Sequence, residues 1–137
     1  MTIARASWIG TAALVVTSAG AILTETARGV AVIADLLMFA GGTAAFLWAY
    51  AIAVGRSRTD EIGIGGLYFL QGSAPKSVKW HLLGSLAAQV TTAVVAAALK
   101  PFTGVAFAVL APMWGLGLAG LWAAKYGSFP ARTDRVP

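Results

Sequence analysis

Four stretches of this chain are apolar almost without interruption: Trp8–Thr24, Val30–Val54, Val78–Leu99 and Phe102–Tyr126. About 20 residues at 1.5 Å each cross the ~30 Å hydrocarbon core of a bilayer. The first run is barely that long, and the other three are comfortably so. The pattern predicts an all-α membrane protein of four spans. Glu25–Gly29 joins the first two spans, and Lys100-Pro101 separates the last two. Connections this short predict two antiparallel hairpins. Between them lies the longer stretch Gly55–Trp80. The chain is then one domain, 1–137, with a polar, flexible tail over 127–137.

Composition sharpens this picture. Hydrophobic residues make up 58% and charged residues 11%, against roughly 45–50% and about 25% in soluble chains. Irregular backbone facing lipid would leave amides unsatisfied, so helices are the expected solution. The net charge of +5 follows membrane topology rather than nucleic-acid binding. With the N-terminus inside, the inner segments carry Arg5, Arg56, Arg58, Lys76, Lys79, Lys125, Arg132 and Arg135. The outer connections carry only Arg28 and Lys100. This bias predicts an inner-membrane protein with both termini and the central stretch cytoplasmic. Arg5, the apolar run from Trp8 and Ala19-Gly20-Ala21 also have the form of a secretory signal. We read them as an uncleaved first helix. Cysteine is absent, which removes disulfides and thiolate chemistry.

Within the central stretch, Arg56, Arg58, Asp60 and Glu61 belong in water. Ile62–Leu70 is apolar but too short to span, so it should lie at the interface or fold back under the helices. Its three glycines argue against a regular helix. Gln71–Pro75 is turn chemistry, and Ser73 or Ser77 is the expected cap of the third span. Pro112, lacking an amide hydrogen, should kink the fourth span.

Few residues carry chemistry. Asp35 lies in the second span, about 7–8 Å past its first residue. Ionised and unpaired it would be costly there. It should be protonated, face a polar cavity, or pair with Arg28 two turns back. Gln89, near mid-membrane, predicts an inter-helix hydrogen bond, and Thr91 and Thr92 one turn on predict bonds to their own preceding turn. His81 is an interfacial histidine beside Trp80. It has no set of partners for a metal, and of Met1, Met38 and Met113, which could in principle serve haem, Met38 and Met113 fall at different depths from it. No cofactor, catalytic residue or metal ligand is expected, and no enzymatic activity. Gly41, Gly42, Gly84, Gly115, Gly117 and Gly120 are the expected helix-packing positions. Leu67, Tyr68, Phe69, Leu70 and Pro75 form a candidate docking surface for a partner.

The second half carries Gly66-Leu67-Tyr68-Phe69-Leu70, Gly72-Ser73-Ala74-Pro75, Pro101-Phe102-Thr103, Pro112-Met113, Gly115-Leu116-Gly117-Leu118, and Gly127 with Phe129-Pro130 and Arg132. With these it resembles small four-span membrane proteins of actinobacteria that lack an assigned activity. The resemblance implies a cell-envelope setting and an accessory role beside a larger membrane machine. It carries no catalytic residue across. Small multidrug transporters are also short four-span chains, but they bear an acid in the first span, where this chain has none. The expectation is a non-enzymatic accessory or assembly subunit of a membrane complex, in contact with membrane lipids and concerned with envelope lipid transport. The alternative is a small homo-oligomeric transporter or channel using Asp35 and Gln89.

Overall fold

Four segments of the computed structural model are long and apolar enough to cross a membrane: Thr2–Leu23, Arg28–Arg56, Lys76–Leu99 and Val105–Tyr126. The structure describes residues 2–100 and 103–131. The α-helices are α1 (Thr2–Leu23), α2 (Arg28–Arg56), α3 (Ile64–Tyr68), α4 (Lys76–Leu99) and α5 (Met113–Tyr126), with a 3-10 helix over Gly104–Leu110. The first helix begins well before Trp8, because Ile3, Ala4 and Ala6 add apolar turns that pack on the core. Arg132 and Arg135 of the charge count, Met1, and Pro101-Phe102 lie outside the described residues.

The fourth span is broken, as Pro112 leads one to expect. The 3-10 helix ends at Leu110, and α5 starts with Pro112 as its N-terminal cap. Thr103 starts the first half: its Oγ1 accepts from the Val105 amide at 3.3 Å and donates to the Lys100 carbonyl at 3.0 Å. The second half, α5, is the central element. Gly115 and every residue from Gly117 to Ala124 are buried. Around it stand α1, α2 and α4, and α3 covers its far end.

Close approach explains the glycines. A Cβ on Gly117 would collide with the carbonyl oxygen of Gly42, and one on Gly42 with the backbone of Met113. The α2 and α5 backbones therefore touch, as helices do in lipid when small residues meet. Gly10 and Gly41 flank the Trp114 ring, Gly115 lies under Gln89, and Gly120 under Tyr68. Gly84 differs. A Cβ there would meet only Trp8, at an ordinary 3.8 Å. Gly84→Ala should therefore leave stability in detergent within about 0.5 kcal/mol of the parent. A loss above about 1 kcal/mol would show that a helix lies closer than this.

One end of the bundle gathers most of the charge. It is organised by Arg56, which the sequence shows only as an aqueous charge. Its Nε and Nη2 donate to Asp60 Oδ2 at 3.2 and 3.0 Å, and its Nη1 to the Ala124 carbonyl at 3.2 Å. A cation at the last carbonyls of α5 also suits the helix dipole. Its guanidinium lies 5.0 Å from the Phe129 ring centroid. The expected tail is consequently pinned at its start. The Glu61 amide donates to Pro130 O, and the Ser128 amide to Ser73 O, each at 2.8 Å. Exposed Trp48, Tyr50, Trp80 and Tyr126 ring this end in the manner of an interfacial aromatic belt.

The stretch after Asp60 folds back into the bundle, and it includes a five-residue helix in spite of its glycines. Leu67, Tyr68 and Leu70 are buried. Tyr68 stacks on Phe46 at 4.2 Å and donates its hydroxyl to the Phe46 carbonyl. Leu70 takes a left-handed φ of 58°, which costs about 1–2 kcal/mol. Full burial of its side chain returns about as much. The expected docking surface is thus largely consumed inside the fold. Of its residues only Phe69 and Pro75 stay exposed. Neither Ser73 nor Ser77 caps α4. Pro75 occupies the cap, and Ser73 Oγ donates to the Gly66 carbonyl instead.

Candidate functional site

Apart from Ser18, Ser73 and the Thr43 hydroxyl, the buried polar groups separate into two places. The first is a network joining α1, α4 and α5. Gln89 is fully buried, and its amide meets three partners. Nε2 donates to Ser7 O at 3.2 Å and to Thr11 Oγ1 at 3.0 Å. Oε1 accepts the Gly115 amide hydrogen at 3.0 Å. Two acceptors on one side and a donor on the other fix which way the amide points. Ser85 Oγ donates to Leu82 O, so the Ser7 hydroxyl donates to Ser85 Oγ. Thr11 Oγ1 shares its hydrogen between Ser7 O and Ser85 O, at 3.1 and 3.2 Å.

The network has a physical cause in the broken span. The break at Pro112 leaves the first amides of α5 without helical acceptors. Trp114 N turns back to Ala111 O and Leu116 N to Pro112 O. Gly115 N has neither, and Gln89 supplies the acceptor from another helix. A Cβ on Gly115 would stand 2.7 Å from Gln89 Oε1, so glycine is needed where the cap enters. Neither threonine expected to bond its own preceding turn joins this network. Thr92 bonds Ala88 O in its own turn at 2.8 Å, and Thr91 is exposed.

The second place is Asp35. Its residue is 1% exposed, and Oδ1 has no hydrogen-bond partner. The expected pair with Arg28 does not form. Arg28 Nε reaches back to Ala21 O at 3.2 Å, and Nη1 lies 3.8 Å from Glu25. Two contacts set the level of Asp35: Arg28 to Ala21, and Met38 close by Gly10. Between them α1 carries Leu14 and Ser18, both buried. Ala31 and Met38, its neighbours on the buried stripe of α2, pack with Leu14, Ala21, Ala96, Val105 and Ala108. Small side chains dominate, and none of the residues in that cluster is titratable. Asp35 and Gln89 thus belong to different environments. No hydrogen bond links them, and Arg28 joins neither.

Trp114, which the sequence did not single out, ties these regions together. Its Nε1 donates to Ala6 O at 2.9 Å, and its ring fits between Gly10 on α1 and Gly41 on α2. Among the described residues no three His, Cys, Asp or Glu side chains gather as metal ligands. His81 is exposed at the start of α4, beside Trp80. No protein-family model, curated protein or solved structure matches this chain.

Proposed function

We propose that the chain is a small transporter or channel of the inner membrane that uses the Asp35 carboxyl to carry a proton or a small cation. In this reading both termini and the 55–80 stretch are cytoplasmic, and α1–α2 and α4 with the fourth span form two hairpins. The observation that carries it is the contrast between the two polar places. Gln89, Ser7, Thr11 and Ser85 satisfy one another and hold helices together. Asp35 Oδ1 is as deeply buried and has no hydrogen-bond partner, a state it shares only with the neutral hydroxyl of Thr43 among the described residues. A carboxyl that bonds to no helix contributes no cohesion, and its burial is a cost. Gln89 drops out of the transport site, because its amide is spent on the cap of α5.

Asp35→Asn keeps the shape and removes the acid. We expect the unfolding midpoint in detergent to stay level or rise. We expect proton flux into proteoliposomes, followed with an enclosed pH dye under a potassium–valinomycin potential, to fall to the level of empty vesicles. If the parent protein conducts no more than empty vesicles, or if Asp35→Asn conducts as well as the parent, transport through this carboxyl is wrong.

A second reading, the accessory subunit of a larger membrane complex, has its own support. Phe69, 45% exposed beside Leu86, Val90, Met113 and Leu116, and Pro75 are what is left of the expected docking surface, and Ile64 adds a side chain that is 72% exposed. Recovery of a defined complex from mild detergent, lost on Phe69→Ser but kept on Asp35→Asn, would favour it.

A further inference from the structure

The ends of α1 and α4 enclose a groove that neither reading uses. It has a volume of about 660 Å³ and is lined by Ala4, Arg5, Trp8 and Ile9 of α1 and by Ser77 and His81 of α4. Its order along the membrane normal is that of an amphiphile. Because Ser7 is level with Ser85, Ser77 lies outermost, His81 next and Arg5 just below it. Trp8, level with Gly84, and Ile9 lie deeper. Trp8 and Ile9 stay 41% and 68% exposed on the flank of the bundle, where lipid would run. Arg5 makes no ion pair among the described residues, and the Asp60 carboxylate at the same end is already held by Arg56. Lys76 and Lys79 add positive charge on the first turn of α4. Beside the groove Ser7 and Ser85, and below it Thr11 and Gln89, lock the two helices together, so the walls are fixed.

We propose that this groove binds an anionic phospholipid of the phosphatidylglycerol kind. The phosphodiester sits against the Arg5 guanidinium, with the Ser77 hydroxyl and the His81 imidazole as further donors. One acyl chain lies along Trp8 and Ile9. The occupant is a lipid rather than free phosphate because the charged rim continues directly into an apolar, membrane-facing wall. It is anionic because the rim offers unpaired positive charge and no carboxylate. This site is separate from Asp35 in place and in chemistry, and it stands or falls independently of transport.

The probe is Trp8 fluorescence in phosphatidylcholine nanodiscs doped with lipid brominated on one acyl chain, either phosphatidylglycerol or phosphatidylcholine. The Trp8→Phe protein supplies the background of the other tryptophans. Brominated phosphatidylglycerol should quench Trp8 at roughly fivefold lower mole fraction than brominated phosphatidylcholine, the preference that one basic residue gives near an anionic lipid. Arg5→Gln, exposed and outside the polar network, should remove the preference and leave the unfolding midpoint unchanged. Lys100→Gln, at the other end, should keep it. Inorganic phosphate should not relieve the quenching. Equal quenching by both lipids in the parent overturns the proposal. So does a preference that survives Arg5→Gln, one that Lys100→Gln abolishes equally, or displacement of the lipid by phosphate.

Discussion

Gly117→Val will stop the bundle from closing. The added Cβ would overlap the Gly42 carbonyl oxygen, and would stand 3.0 Å from the Gly42 carbonyl carbon and 3.1 Å from the Phe46 amide. All three are backbone atoms, so no rotamer change relieves the clash. Moving α2 away would undo the contact of Gly42 with Met113 and the fit of Gly41 on Trp114. In lipid these contacts have no hydrophobic effect to replace them, because lipid tails are as apolar as leucine. Overpacking costs about 1–3 kcal/mol where side chains can give. Here they cannot, and we expect more than about 3 kcal/mol. Titration from mild detergent into dodecyl sulfate, followed by tryptophan emission, reads this directly. A midpoint within about 0.5 kcal/mol of the parent would mean that α2 and α5 do not meet at Gly42 and Gly117.

The same contact shows what a sequence of this kind discloses. Lipid demands long apolar runs, so the four spans stand out, and Pro112 announces its break because a missing amide hydrogen has a local effect. Gly42 and Gly117 can be picked as packing positions, since small residues in spans have few other uses. That they meet each other is a property of the assembled helices and has no local trace. The polar face of α1 was within reach. Ser7, Thr11, Leu14, Ser18 and Ala21 recur at helical spacing, and all are buried. Starting the span at Trp8 leaves Ser7 out, and lone hydroxyls in apolar runs usually bond their own turn, as Thr17 does here. Gln89 is conspicuous in the sequence, but its partner is a backbone amide released by a proline in another helix. The fate of Leu67, Tyr68 and Leu70 turned on a similar point. An apolar stretch too short to span is equally consistent with a docking surface and with a plug. The choice fell to Gly120 and Phe46, which give the Tyr68 ring a place to lie.

Gln89→Met will weaken the fold by about 2 kcal/mol while filling the same space. Three inter-helix hydrogen bonds are lost, at about 0.6 kcal/mol each in membrane proteins. The Gly115 amide is then left without an acceptor, which adds to the loss. Its hydrogen exchange should quicken by more than the roughly thirtyfold that a global loss of about 2 kcal/mol gives. Amides deeper in α5, such as Ala123, keep their helical acceptors and should respond only through the global loss. Thr11→Val removes one partner of the same amide. The double variant should therefore cost less than the two singles together, by about 1 kcal/mol. Gln89→Glu is the discriminating third variant. A protonated glutamate can still accept from Gly115, but it has one hydrogen to give where glutamine has two. It should fall between the parent and Gln89→Met in stability, with Gly115 still protected. If Gln89→Met keeps parental stability and Gly115 exchange is unmoved, the α5 cap does not come from α4. The amide of Gln89 would then be free to join Asp35 as the second group of a transport site.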